Sequence, residues 1–133
     1  MKANGGCYCG EIRYEVDGDI THGTLCHCVD CRRVSGAPVV GWFTVAEDRV
    51  RFVRGAPKWF RSSEHVMRAF CAACGTPIAY RRDSEPGYVD ITTCSLDQPE
   101  LAPPRDHTFH AERLSWMKAC DELPKYPRTR SEG

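Results

Sequence analysis

The sequence predicts an all-β fold assembled from short strands and stapled at cysteine-bearing turns. Three observations carry this expectation. Apolar and charged residues alternate with a period of two in short runs separated by Gly, Pro and Asp. Helical periodicity is confined to a turn or two. Nine cysteines stand at positions 7, 9, 26, 28, 31, 71, 74, 94 and 120, and seven of them fall in tight clusters where the strand pattern breaks.

In chain order, "EIRYEV" alternates Ile12, Tyr14 and Val16 with charged residues, the signature of a half-buried strand. "VDGD" turns the chain into a second strand, "ITHGTLCH". "DCRRVSG" allows a turn or two of helix, stopped by Gly36 and Pro38. "PVVGWFTV" is near-continuously apolar and so central in its sheet. "RVRFVRG" and "KWFRSS" are short strands separated by Gly55, Ala56 and Pro57. "HVMRAF" and "TPIAYRR" flank the turn "CAACG", and "GYVDITT" alternates again. A polar, proline-rich loop, "SLDQPELAPP", precedes a late strand at "HTFHAERL". "SWMKACDELPKYP" offers one helical turn before its prolines end it.

The length of 133 residues suits one domain, expected over 1–133. Lys+Arg and Asp+Glu number 18 each, and this balance gives no general drive toward nucleic acid or an anionic membrane. No apolar run approaches the roughly 20 residues of a membrane span. The opening "MKANGGCYCGEIRY" lacks the apolar core of a signal peptide, which points to the reducing cytosol. An odd cysteine count without a secretion signal disfavours a disulfide framework. Chelation fits better, because two thiolates on one tight turn reach the same ion.

"GCYCGEI" holds a C-x-C pair and "FCAACGTP" a C-x-x-C pair, each followed by a glycine that permits the tight exit of a zinc knuckle. Cys7, Cys9, Cys71 and Cys74 together supply the four thiolates of a structural zinc. "LCHCVDCRR" is different. Cys26, Cys28 and Cys31 can share one ion and leave its fourth tetrahedral position open, the mark of a catalytic zinc. Three thiolates make that zinc a poor acidifier of water and a better host for another thiolate, so the logic points to thiol chemistry. The competing reading is a closed second structural site, with His27, Asp30, Cys94 or Cys120 as fourth ligand. Cys94 is the most credible of these, because His27 on a strand faces away from its neighbours. Arg32 and Arg33 could clamp substrate carboxylates, although each is also an ordinary surface charge. His27 could shuttle a proton, although a hydrogen-bonded structural role is the simpler one. Trp42, Phe43, Trp59 and Trp116 read as core residues.

"GGCYCGEIRYEV", "LCHCVDCRRVSGAP", "FCAACGTPIAY", "ITTCSLDQPE" and "HTFHAERLSWMKACDELPKYP" occur in the order found in glutathione-dependent formaldehyde-activating enzymes. The resemblance runs from about residue 5 to 127 and extends to the zinc domain of centromere protein V. It implies a β-tent zinc fold with short antiparallel sheets, and a structural zinc on Cys7, Cys9, Cys71 and Cys74. It further implies a catalytic zinc on Cys26, Cys28 and Cys31. The implied activity is a carbon–sulfur lyase joining glutathione to formaldehyde as S-(hydroxymethyl)glutathione. The alternatives are an adduct carrier or a non-catalytic zinc-stapled binding module. Exposed strand edges are compatible with a homodimer.

Overall fold

In the computed structural model, which describes residues 2–118 and 121–132, ten strands and one α-helix form two sheets. The strands are β1 (Lys2–Gly6), β2 (Arg13–Asp17), β3 (Thr21–Cys26), β4 (Val40–Ala46) and β5 (Val50–Arg54). They continue as β6 (Lys58–Ser63), β7 (Val66–Phe70), β8 (Pro77–Arg82), β9 (Tyr88–Thr92) and β10 (Asp106–Thr108). The helix α1 spans Val29–Ser35. The small sheet has the order β1-β2-β5, and the large one β10-β3-β4-β9-β8-β7-β6.

The alternation read from the sequence sorts side chains between two compartments. On β2, Tyr14 and Val16 are buried while Asp17 is exposed. On β4, Phe43 and Val45 enter the main core, where they meet Tyr14, Val16, Ile78, Val89 and Ile91. Trp42 on the other face of β4 joins a second, smaller cluster with Cys26, Cys31 and Val40. Both faces of β4 are therefore covered, which is why its sequence is near-continuously apolar. Truncating Phe43, which is fully buried, would cost about 3–5 kcal/mol.

Several expectations need correction. The N-terminal segment "KANGG" shows no strand pattern, yet it forms β1 against β2. Its Gly5 packs so closely on Tyr14 that an added Cβ would lie 2.4 Å from the Tyr14 hydroxyl. The late strand is shorter than 107–114: β10 ends at Thr108, and Phe109 turns the chain with a φ of 52°. β10 also runs parallel to β3, so the sheets are not wholly antiparallel. No helix forms among the described residues of "SWMKACDELPKYP"; Ala119 and Cys120 lie outside them. Trp116 is 65% exposed rather than core. Trp59 is half-buried against the core, with Arg81 stacked 4.4 Å from its ring centre. No helix among the described residues is long and apolar enough to cross a membrane.

Candidate metal centres and the cavity beside them

Two turns bring the outer cysteine pairs together. The first folds back through a Cys7 N–H bond to Ile12 O at 3.1 Å, the second through a Cys71 N–H bond to Thr76 O at 3.0 Å. Gly10 and Gly75 close the two turns in the left-handed region at φ 82°, where a side chain would be strained. The amide of Ile12 also donates to Cys7 Sγ at 3.3 Å. All four sulfurs lie within 4.8 Å of one another. Cys7 to Cys9 is 3.6 Å and Cys9 to Cys71 is 3.8 Å. A tetrahedral zinc with Zn–S bonds of about 2.3 Å needs sulfurs about 3.8 Å apart, so the donor set fits. Thr76 beside Cys74 holds that thiol down at about 5, which favours the thiolate a metal needs.

The second cluster is built by the end of β3 and the start of α1. Cys28 caps the helix, its Sγ accepting the Cys31 N–H at 3.2 Å, and Gly36 ends the helix with its N–H on Arg32 O at 2.7 Å. This short helix returns Cys31 to Cys26 and Cys28, and the three sulfurs also lie within 4.8 Å of one another. Their protons divide unevenly. Hydrogen bonds from the Cys26 and Cys28 thiols, aided by Arg68, hold Cys31 down at about 3. The same contacts with Cys28 and Cys31, together with burial, push Cys26 far up. A cation among them is what lets all three ionise, so this donor set also suits a metal.

The triplet opens onto a cavity of about 370 Å³, a volume in the usual range of small-molecule sites. Its wall is one face of the large sheet. Strand register sets Thr44, Asp90, Tyr80 and Arg68 side by side across β4, β9, β8 and β7. Arg68 is buried and sends its guanidinium to Cys31, with Nη1 and Nη2 each 3.7 Å from Sγ. The same group lies over the Tyr80 ring. Trp42 and Phe109 also line the cavity, and Arg82 and Arg130 supply further positive charge. Arg130 is anchored by Asp106 on β10 and by the carbonyl of His22 at 3.2 Å. A broader hollow of about 950 Å³ adjoins this cavity but contains no cysteine, so the donors identify the smaller one as the site.

The structure redistributes the other candidates. No fourth His, Cys, Asp or Glu joins the triplet among the described residues. Cys94 is exposed on the turn after β9 and is not the closing ligand; Cys120 lies outside the described residues. Asp30 is exposed on the rim of the cavity. Arg32 and Arg33 line a separate hollow with Trp116 and are not among the residues lining the cavity. His27 is fully buried and points away from the cavity. Its Nε2 is 2.8 Å from His107 Nδ1, and His107 Nε2 is 3.0 Å from Asp121 Oδ2. Burial, with the neighbouring His107 ring, holds His27 down at about 4, which favours the neutral ring. Trp42 is buried as expected but also lines the cavity, a role that period-two alternation alone does not distinguish.

Arg68, Tyr80, Arg82, Asp90 and Arg130 are the site residues that the sequence did not reveal. The one available signal was an arginine within the otherwise apolar strand "HVMRAF".

The cysteine clusters and sheet order can be set beside known proteins. A crystal structure of a Rhodobacter sphaeroides protein superposes with a TM-score of 0.60 at 26% identity, covering 76% of this chain and 96% of that one. The sequence profile of the glutathione-dependent formaldehyde-activating enzymes matches residues 2–112, which takes in both clusters and the whole large sheet. This chain belongs to the glutathione-dependent formaldehyde-activating enzyme family.

Proposed function

We propose that the protein is a zinc-dependent carbon–sulfur lyase that joins glutathione to formaldehyde or another small aldehyde. The observation that carries this reading is a three-sulfur cluster that opens onto a cavity and lacks a fourth donor among the described residues. In the reaction the thiol sulfur bonds to the carbonyl carbon and the carbonyl π bond breaks. The thiol proton ends on the new hydroxyl, giving S-(hydroxymethyl)glutathione from formaldehyde.

Cys26, Cys28 and Cys31 would hold a zinc ion, which would supply Lewis acidity toward an incoming thiol. The chain's own residues do the rest. Arg68 offsets part of the negative charge that three thiolates bring to the metal end. Trp42, Tyr80 and Phe109 wall that end and exclude bulk water, which strengthens every charge interaction inside it. Arg82 on the wall attracts the carboxylates of the thiol substrate. Cys7, Cys9, Cys71 and Cys74 would hold the second, structural ion. Cysteines without disulfides among the described residues, and a glutathione substrate, favour a reducing compartment such as the cytosol.

Exchange NMR on an equilibrium mixture of glutathione, formaldehyde and adduct tests the proposal. Zinc-loaded protein should raise the interconversion rate above the uncatalysed one, and Cys28→Ser should abolish the increase while the four-cysteine zinc is retained. Binding without acceleration would make the protein an adduct carrier. Neither binding nor acceleration would leave a metal-stapled binding module.

A further inference from the structure

The cavity has a second end, and its chemistry differs from that of the cysteines. Along β4, Val40 pairs with Cys26 and Thr44 pairs with Asp90. At about 3.3 Å per residue, the Asp90 row therefore lies about 13 Å along the strands from the Cys26 row. Asp90 accepts one hydrogen bond, from Thr44 Oγ1 at 2.6 Å, and has no ion-pair partner among the described residues. Arg82, two residues beyond the Asp90 neighbour Tyr80, lines the same cavity and pairs with the exposed Glu85 at 2.8 Å. A partly buried carboxyl without an ion-pair partner is unfavourable, and the cost comes from its burial. Burial raises the Asp90 pKa, and the Thr44 bond and the charge of Arg82 only partly oppose it. Such a pair is complementary to a group that carries an ammonium and a carboxylate on one carbon.

We infer that this far end is a specificity subsite for an α-amino-acid head group, with Asp90 taking the ammonium and Arg82 the carboxylate of a γ-glutamyl thiol. The inference rests on the thiol-lyase reading above and adds to it the orientation of the substrate and the part of it that is read. Between the sulfur and the γ-glutamyl ammonium, glutathione spans about 10 Å fully extended. A metal–sulfur bond of about 2.3 Å and one hydrogen bond of about 2.9 Å extend that reach to about 15 Å, enough to bridge the roughly 13 Å between the two rows. The reverse orientation is disfavoured, because the glycine end offers only a carboxylate and would meet Asp90 with like charge. The substrate class is thus γ-glutamyl thiols. γ-Glutamylcysteine belongs to it and cysteinylglycine does not.

Calorimetric titration of the zinc-loaded protein with S-methylglutathione tests this without relying on a free thiol. The comparison ligand is the glutaryl analogue, which is identical but lacks the ammonium. S-Methylglutathione should bind about tenfold or more tighter than the glutaryl analogue, the usual worth of a hydrogen bond to a charged group. Asp90→Asn should remove that difference by weakening S-methylglutathione alone, and Arg82→Gln should weaken both ligands. Equal affinity of the two ligands for the wild-type protein overturns the subsite and leaves the lyase reading in place. That comparison needs no variant and stands even where a variant misfolds. Wild-type affinity in both variants, with zinc content unchanged, overturns it equally. Failure of every glutathione derivative to bind the wild-type protein overturns the subsite and the lyase reading together.

Discussion

Arg68 holds both terminal guanidinium nitrogens 3.7 Å from the sulfur of Cys31, while the plane of the same group lies 4.9 Å over the Tyr80 ring. The pairing ties strand β7 to helix α1 and places a permanent positive charge beside a thiolate cluster. Groups in this position commonly alter metal affinity by about 10–100-fold. Arg68→Met should weaken the three-cysteine site on that scale and leave the four-cysteine site loaded. Arg68→Lys should not restore it, because a lysine cannot present a flat fork to the sulfur and a face to the ring. Cobalt titration followed through the thiolate charge-transfer band separates the two sites.

The four-cysteine site should behave as a folding element. It joins the first turn of the chain to the turn between β7 and β8. Structural zinc in small domains contributes roughly 10 kcal/mol or more, as much as the whole net stability of many domains, about 5–15 kcal/mol. Cys74→Ser should therefore unfold or aggregate the protein, and a strong chelator should do the same to the wild type. A soluble Cys74→Ser protein with full zinc and an unchanged melting curve would remove this site from the account.

Asp90 should cost stability in the absence of substrate. Its pKa is raised above the ordinary 3.8, chiefly by burial. Between 3.8 and the raised value the folded protein binds more protons than the unfolded chain, so stability falls as pH rises through that window. Asp90→Asn keeps the Thr44 hydrogen bond and removes the charge. At neutral pH it should melt a few degrees above the wild type, and the gain should vanish at low pH, where both side chains are neutral. Thermal melts at a series of pH values show the crossover.

His107 should act through packing and hydrogen bonding alone. It links the ring of His27, which lies between two metal-site cysteines, to Asp121 near the C-terminus. His107→Ala leaves His27 Nε2 buried without its partner, at a cost of about 1–3 kcal/mol. The melting temperature should fall by a few degrees, and the pH dependence of adduct formation should keep its shape. A changed pH profile would instead give these histidines a part in proton transfer.

The cysteine clusters were legible because chelation by a tight turn is a local property: two ligands within a few residues, then a glycine. The same holds for β2, β4 and β9, whose alternation shows in five to seven residues. Arg68 and Asp90 were not legible, because each gains its role from residues on other strands. Only the register sets Arg68 beside Tyr80 and Tyr80 beside Asp90. Arg32 and Arg33, for which an ordinary surface charge was the simpler reading, show the same limit. Adjacency to Cys31 in sequence puts them on α1, yet both line a different hollow from Cys31. β1 went unread because its strand is held by backbone pairing and close glycine contact instead of apolar side chains.

The parallel pairing of β10 with β3 has a consequence for how the protein is made. Synthesis runs from the N-terminus, and the turn carrying Cys71 follows Cys9 by 62 residues. The structural cluster can therefore close while the chain is still growing. The three-cysteine site must wait longer for its wall, because Asp106 and Thr108 on β10 reach Thr24 across 82 and 84 residues. Until they emerge, Cys26, Cys28 and Cys31 have neither that wall nor the Arg130 anchor beyond it. The three-cysteine cluster is therefore enclosed later than the four-cysteine one, and its thiols stay open to oxidants and foreign metal ions for longer in the nascent chain.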